Sequence, residues 1–192
     1  MAAITEAKKH YTQSEYLEQE RKADFKSEYY KGEIFAMSGA SLLHNRITTN
    51  FIVFLGLKLK GKNCRPYGSD LRLHIPGNTL YTYPDISVVC GKEELLDQNF
   101  DTLLNPVFIA EILSPSTLSY DTGNKFTLYR SIASLKEYWT ISSLEYRLQK
   151  FVKNESNNTW ILSETINPND SMVLESLGLT VSMIDLYEGV TF

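Results

Sequence analysis

Two apolar runs of the sequence each contain a carboxylate that an ordinary buried strand would not carry. Asp85 lies in the run LYTYPDISVVC, and Glu111 lies in the run PVFIAEIL. An unpaired ionised carboxylate in a low-dielectric interior costs several kcal/mol, so Val, Ile or Phe would be expected at both points. We therefore predict that both acids face a bound cation. Lys125 follows past a loop, at the start of a helical pattern.

These three residue types indicate one kind of chemistry. Carboxylate oxygens from adjacent strands suit a hard divalent cation such as Mg²⁺ or Mn²⁺, which prefers oxygen ligands and keeps several waters. Such an ion polarises a phosphate and lowers the pKa of a bound water. A nearby ammonium group positions the attacking water or offsets charge in the transition state. The set of Asp85, Glu111 and Lys125 therefore predicts metal-dependent phosphodiester hydrolysis.

Each candidate residue also has a purely structural interpretation. Asp85 could begin a strand near solvent, and Lys125 could be a solvated lysine at the front of a helix. Glu111 is harder to explain in this way, because isolated carboxylates in apolar runs are rarely fully buried. His44, at the start of a long helical pattern, could support the metal site or be a structural histidine. Glu33 could be an additional ligand or an exposed strand residue.

Asp70 is a further candidate metal ligand, through the register of a predicted hairpin. Residues 64–75 and 81–90 are two strand patterns joined by the turn residues PGNT. If Ile75 pairs with Leu80, then Asp70 lies opposite Asp85. Two carboxylates in directly opposed positions repel unless a cation or a shared proton lies between them.

Length, composition and charge restrict the class of protein. The chain has 192 residues, of which 43% are hydrophobic and 22% charged, as is typical of a soluble globular protein, and we expect a single domain over 1–192. The net charge of -4 counts against a passive nucleic-acid coat. It does not exclude a nuclease, whose acidic site binds phosphate through a cation. No apolar run reaches the roughly 18 residues needed to cross a membrane. Cys64 and Cys90 are predicted to be reduced core residues in a cytoplasmic protein.

Apolar periodicity predicts the elements that position these residues. A capping-box pattern predicts a short helix over 12–21. Helical spacing predicts helices over 43–60 and 121–135, and strands are predicted over 106–113, which is buried, and over 137–141. A helix that joins two strands of one sheet implies that those strands are parallel. The predicted class is a mixed α/β fold whose core runs helix, strand, strand, strand, helix, strand. Hairpins are predicted at 26–37 and 146–166, and a short strand with a last short helix over 172–192.

The ordered motifs resemble those of a known family. Pro84-Asp85, followed by Glu111 on the next strand of such a core, resembles the PD-(D/E)XK nuclease superfamily. Within it, four phrases are similar to the Uma-type restriction endonucleases: YKGE at 30–33, GSDL at 68–71, PDISVV at 84–89 and EILSPST at 111–117. The later Asp121, Lys125 and Tyr129 fit the same pattern.

The resemblance implies a restriction-endonuclease-like fold and Mg²⁺- or Mn²⁺-dependent cleavage of DNA. The superfamily motif places lysine two residues after the glutamate, where this chain has Leu113. The resemblance therefore implies that the lysine has moved to the following helix, as Lys125. Two alternatives remain open: a non-catalytic module that binds nucleic acid or protein, and a metal-dependent hydrolase of small phosphate esters. The sequence is also compatible with a homodimer.

Overall fold

The computed structural model describes residues 9–115 and 120–192. No helix in this part of the chain is long and apolar enough to span a membrane. The helices are α1 (Gln13–Glu20), α2 (Leu42–Leu59), α3 (Phe126–Tyr129) and α4 (Met183–Leu186). The strands are β1 (Ser27–Tyr30), β2 (Glu33–Ala36), β3 (Cys64–Gly68), β4 (Arg72–Ile75), β5 (Leu80–Thr82), β6 (Ile86–Cys90), β7 (Thr102–Leu103), β8 (Phe108–Leu113), β9 (Glu137–Ser142), β10 (Leu148–Asn154), β11 (Thr159–Thr165), β12 (Ser171–Leu174) and β13 (Leu179–Ser182).

The described strands form three sheets. The six-stranded sheet has the order β11-β10-β9-β8-β6-β3, in which β8 and β9 are parallel and the other neighbours antiparallel. The five-stranded sheet has the order β2-β1-β5-β4-β7, and β12 pairs with β13. The parallel β8-β9 pair is the one predicted from the intervening helical pattern. Both predicted terminal hairpins form, as β1-β2 and β10-β11.

The two long central strands predicted from the sequence are each divided between two sheets. β3 and β6 belong to the six-stranded sheet, whereas β4 and β5 belong to the five-stranded sheet. The predicted pairing of Ile75 with Leu80 is present. However, Gly68 pairs with Ile86 and Leu73 with Thr82, so four residues on one side oppose three on the other. This bulge shifts the register, and the prediction that Asp70 opposes Asp85 is wrong.

A capping side chain begins each of the first two helices, and of these the cap at Thr12 was predicted. Thr12 caps α1: its hydroxyl accepts from the Glu15 backbone N–H, and the Glu15 carboxylate accepts from the Thr12 N–H at 2.8 Å. Ser41 caps α2 by accepting from the His44 N–H. The apolar face of α2 then packs on the six-stranded sheet.

The predicted helix over 121–135 is much shorter in the structure. A π-helical turn, Tyr120–Lys125, leads into the single α-helical turn of α3, and the chain then turns toward β9. Phe126, Tyr129, Ile132 and Leu135 still enter one core cluster, which explains their helical spacing. The last two residues of the EILSPST phrase, at 116 and 117, lie outside the described part of the chain.

Side chains of β6 and β8 alternate between two cores. Ile86, Val88, Phe108, Ala110 and Ile112 pack toward α2 and the C-terminal elements. Val89 and Ile109 pack in the second cluster, with β4, β5 and α3. Because successive strand residues point to opposite faces, Glu111 shares the face of Ile109 and points toward that second layer.

Two further expectations from the sequence are corrected. Cys64 and Cys90 are not reduced: they pair across β3 and β6 and form a disulfide. The sequence spacing gave no sign of this, because the sheet register brings the two residues together. The C-terminal segment contains two strands, β12 and β13, before α4, where one strand was predicted.

Candidate active site

Asp85 lies where the chain passes from one sheet to the other, immediately before β6. Its Oδ2 accepts from the Ile112 backbone N–H at 2.8 Å, and its own N–H donates to Glu111 Oε2 at 3.3 Å. These two hydrogen bonds extend the contact between β6 and β8 beyond their last backbone pair, Ile86 with Ala110. The side chain remains 17% exposed and opens into a cleft.

Glu111 lies at the buried end of this arrangement, in the middle of β8. Its Oε1 accepts from the Tyr129 hydroxyl at 2.6 Å and lies 3.0 Å from Lys125 Nζ. The short helical segment after β8 positions both partners, one turn apart. The structure thus brings the predicted residues Asp85, Glu111 and Lys125 together.

Two further acids contact the same ammonium group. Lys125 Nζ lies 3.1 Å from Glu28 Oε1 and 3.5 Å from Asp121 Oδ1. Glu28 comes from β1, and its Oε1 also accepts a short hydrogen bond from the Thr82 hydroxyl. Elements from both large sheets therefore meet at Lys125.

The electrostatics of this cluster raise the pKa values of both Glu111 and Lys125. Burial raises the pKa of Glu111 to about 8; the charge of Lys125 opposes this rise, whereas Asp121 and Asp85 add to it. Burial alone would lower the pKa of Lys125, but negative charge at Glu111, Glu28 and Asp121 outweighs it and raises that pKa. At neutral pH the lysine therefore carries a full positive charge.

Tyr129 combines a core position with a polar contact. Burial raises the pKa of its phenol well above the usual value. The hydroxyl therefore stays protonated and donates to Glu111. The Tyr129 ring is fully buried, in keeping with the helical spacing of apolar residues over 121–135.

The cleft above these residues has a volume of about 670 Å³. His44 lines it from the first turn of α2, with Nε2 at 3.2 Å from Asp85 Oδ2. On the other side of the ring, Nδ1 lies 3.5 Å from the Thr48 hydroxyl. His44 is thus placed to orient the Asp85 carboxylate.

The remaining sequence candidates lie at different places. The Asp70 side chain is 98% exposed, lies 3.1 Å from Lys26 Nζ, and is not among the described residues that line the cleft. The bulge between the sheets turns it outward, so we do not include it as a metal ligand. Glu33 is half-buried on β2, on the same strand face as the cleft-lining Phe35. Its supporting role stays a prediction.

Sequence reasoning did not find Glu28, and it included Asp121 only through the family resemblance. Glu28 sits in the aromatic-rich strand SEYY, where alternation alone is compatible with a solvent-facing glutamate. The sequence neighbours of Glu28 give no signal, because the strand residues on either side of it point to the opposite face. Only the packing of one sheet on the other shows that Glu28 reaches Lys125.

The donor set of Asp85 and Glu111 fits a hard divalent cation. Asp85 Oδ1 makes no hydrogen bond within the described ranges, and Glu111 Oε2 accepts only the long bond from the Asp85 N–H. No group of three or more His, Cys, Asp or Glu side chains forms a metal cage among the described residues. Two carboxylates without a full protein cage suit Mg²⁺, which usually keeps several of its waters.

Comparison with known proteins identifies the family. The Uma2 family, described as "Putative restriction endonuclease", matches residues 13–184. The chain belongs to this family. The matched range contains all the residues of the cluster around Lys125 and the helix that carries His44.

Two relatives and one solved structure show the extent of the similarity. Two uncharacterized proteins of Synechocystis, sll1609 and slr1290, are 37% and 34% identical to this Uma2 chain. The matches cover 82% and 93% of the chain and 89% and 92% of the relatives. A crystal structure of a putative nuclease belonging to DUF820 from Anabaena variabilis has a TM-score of 0.75 at 21% identity, covering 93% of this chain and 98% of that one. This likeness confirms the predicted nuclease-like fold.

Proposed function

We propose that this protein is a Mg²⁺- or Mn²⁺-dependent endonuclease that hydrolyses phosphodiester bonds of DNA. The observation that carries the proposal is the convergence of two carboxylates and an ammonium group at the base of one cleft. Lys125 Nζ lies 3.0 Å from Glu111 Oε1, and Glu111 is joined to Asp85 through the Asp85 N–H. Membership of the Uma2 family supports a nuclease. The predicted cytoplasmic location remains part of the proposal, without its argument from reduced cysteines, because Cys64 and Cys90 form a disulfide.

Each residue has a distinct role in this proposal. Asp85 and Glu111 would hold the cation, which when bound polarises the phosphate and activates a water. His44 orients the Asp85 carboxylate, and the Ile112 N–H fixes the same oxygen. Lys125 offsets negative charge that develops on the phosphate as the bond breaks. Its charge is maintained by the surrounding acids, so no proton transfer is needed to activate it.

Cleavage of labelled DNA in Mg²⁺ or Mn²⁺ tests the proposal. We expect Asp85→Ala and Glu111→Gln to lose cleavage by at least about 100-fold, because each removes one ligand charge. Asp70→Ala is the matched control, since it removes an exposed carboxylate outside the cleft. Far-ultraviolet circular dichroism verifies that each variant is folded. Full activity in Asp85→Ala would refute the assignment.

Two further measurements, metal affinity and hydrolysis of small phosphate esters, separate the two alternative functions. A non-catalytic module would show no affinity for Mg²⁺ or Mn²⁺ that depends on Asp85. A hydrolase of small esters would release phosphate from nucleotide or aryl phosphate esters and leave plasmid and oligonucleotides intact.

A further inference from the structure

The walls of the cleft differ in chemistry. The base carries the acids Glu28, Asp85 and Glu111, whereas the segment from Phe35 to Ser41 contributes an aromatic ring, a methionine and small residues. Phe35 is 46% exposed and lies on the edge strand β2. A nucleotide has the same two parts, a charged phosphate and a flat base, and aromatic rings stack on bases without regard to sequence.

The depth and the size of the cleft restrict the form of the substrate. Glu111 and Lys125 are almost fully buried, so a reacting phosphate must enter the cleft to approach them. A volume of about 670 Å³ lies in the range that holds one drug-sized ligand. It has room for a nucleotide or two of a flexible strand. A stiff duplex, which carries its phosphates on the outside of a wide cylinder, would be held at the rim.

The charge of the cleft points in the same direction. Binding to duplex DNA normally depends on many lysine and arginine contacts to phosphates. Among the described residues lining the cleft, the lysines and arginines are Lys26 and Lys125 only. Lys26 contacts Asp70, and Lys125 contacts Glu111. Stacking of unpaired bases adds affinity that the paired bases of a duplex do not supply.

We infer that the substrate of this site is an unpaired DNA strand, held by stacking of a base on Phe35 while its phosphate reaches the cation that Asp85 and Glu111 would hold. This inference rests on the proposed function and names the form of DNA that the site accepts. Gaps, bulges and free single strands contain such an unpaired strand, whereas a continuous duplex does not.

Oligonucleotides of one sequence test this preference. Three labelled 30-mer substrates are compared in Mg²⁺: a single strand, the full duplex, and the duplex with a central gap of five nucleotides. We expect cleavage of the single strand, and of the gapped strand within the gap, at a kcat/KM at least about ten-fold above that of the duplex. Equal or faster cleavage of the full duplex would overturn the inference.

Binding provides a second measurement that needs no catalysis. The variant Asp85→Asn in Mg²⁺ should bind the single strand at least about ten-fold more tightly than the duplex, by fluorescence anisotropy. If wild-type protein cleaves nothing but this binding preference is present, the proposed function fails, and the unpaired strand is a ligand of the cleft and not its substrate. If duplex is cleaved and bound as well as single strand, the inference fails and the proposed function stands.

Phe35 variants test the stacking contact itself. In the Asp85→Asn background, Phe35→Ala should weaken single-strand binding about ten-fold, because it removes a stacking surface. Phe35→Trp should retain it, which a merely structural loss would not. Phe100→Ala is the matched control, since Phe100 is 68% exposed and lies outside the cleft lining. Unchanged binding in Phe35→Ala would overturn the role of Phe35.

Discussion

At the scale of single residues, the site depends on how one ammonium group is held. Three carboxylates lie within 3.5 Å of Lys125 Nζ, from β1, β8 and the π-helical turn. One of them, Glu111, also contacts Asp85 and Tyr129. These contacts hold the Lys125 side chain in one orientation and keep its ammonium group charged. A group held in this way can stabilise a developing negative charge without first moving its side chain.

Glu28 is expected to act as a positioning residue for Lys125. Glu28→Gln keeps a hydrogen-bond acceptor but removes one charge, and Glu28→Ala removes both. We expect kcat for DNA cleavage to fall about 10- to 100-fold, more in the alanine variant, with a smaller change in KM, because misplaced catalytic groups lose rate at this scale. Glu18→Gln, on an exposed face of α1, is the control. A kcat equal to wild type in both Glu28 variants would remove Glu28 from the site.

The raised pKa of Glu111 predicts a pH dependence of stability in metal-free protein. Its folded-state pKa is about 8, above the ordinary value of 4.5, so the folded state binds the proton more tightly than the unfolded state. The stabilisation is therefore complete below about pH 4.5 and is lost as the pH rises toward 8.

Urea unfolding in EDTA measures this effect. The free energy of unfolding of wild type, relative to Glu111→Gln, should decrease between pH 5 and 8, with a slope of at most about 1.4 kcal/mol per pH unit. Parallel pH profiles for the two proteins would show that Glu111 does not titrate in this range.

The sequence predicted which residues lie together in the structure better than it predicted their geometry. Asp85 and Glu111 are conspicuous because carboxylates interrupt apolar runs. Glu28 is not, because its neighbours in sequence gave no reason for it to face a buried lysine. The predicted position of Asp70 was wrong because a bulge shifts the register of the two strands. This bulge arises where the strands pass from one sheet to the other, and the local sequence does not reveal it.

At the scale of elements, turns and caps were predictable and sheet membership was not. The capping box of α1 and the turns of the terminal hairpins are local, and the structure contains them. The break in each central strand results from packing between sheets. The helical spacing after Asp121 correctly marked buried positions, yet the backbone turns between them, since periodicity reports burial and not continuity of a helix.

The disulfide between Cys64 and Cys90 ties the edge strand β3 to β6. Closing this loop restricts the unfolded chain, so reduction should lower the free energy of unfolding by about 2–4 kcal/mol. Urea unfolding of oxidised protein, reduced protein and the double variant Cys64→Ser/Cys90→Ser measures this. The reduced protein should match the double variant, and the oxidised protein should be more stable. Three coincident curves would contradict the prediction.

At the scale of the whole molecule, charge and architecture act in different ways. The net charge of -4 opposes long-range attraction to DNA, so the proposed binding of DNA would have to come from the cleft and a cation bound there. The architecture supplies the cleft by setting the five-stranded sheet against the second face of β6 and β8. The fold class was predictable from the order of elements, whereas the partition into two large sheets was not.

A weak salt dependence of DNA binding follows from this distribution of charge. With two lysines in the described cleft lining, log K against log salt at fixed Mg²⁺ should have a slope of about -1 to -2 for single-stranded DNA. Anisotropy titrations of the Asp85→Asn variant from 50 to about 300 mM NaCl measure the slope. A slope steeper than about -4 would reveal a basic surface outside the cleft.

The parallel β8-β9 pair has a consequence for the position of the lysine. Parallel neighbours require a long crossover, and here that crossover carries Lys125 back to Glu111. Leu113 shares the strand face of Glu111, two residues further on, so a long side chain there would approach the same carboxylate. Relocating the amine should therefore be tolerated: Leu113→Lys is expected to restore part of the cleavage lost in Lys125→Met. If Leu113→Lys replaces Lys125 in this way, the positive charge near Glu111 can be supplied from more than one position of the backbone.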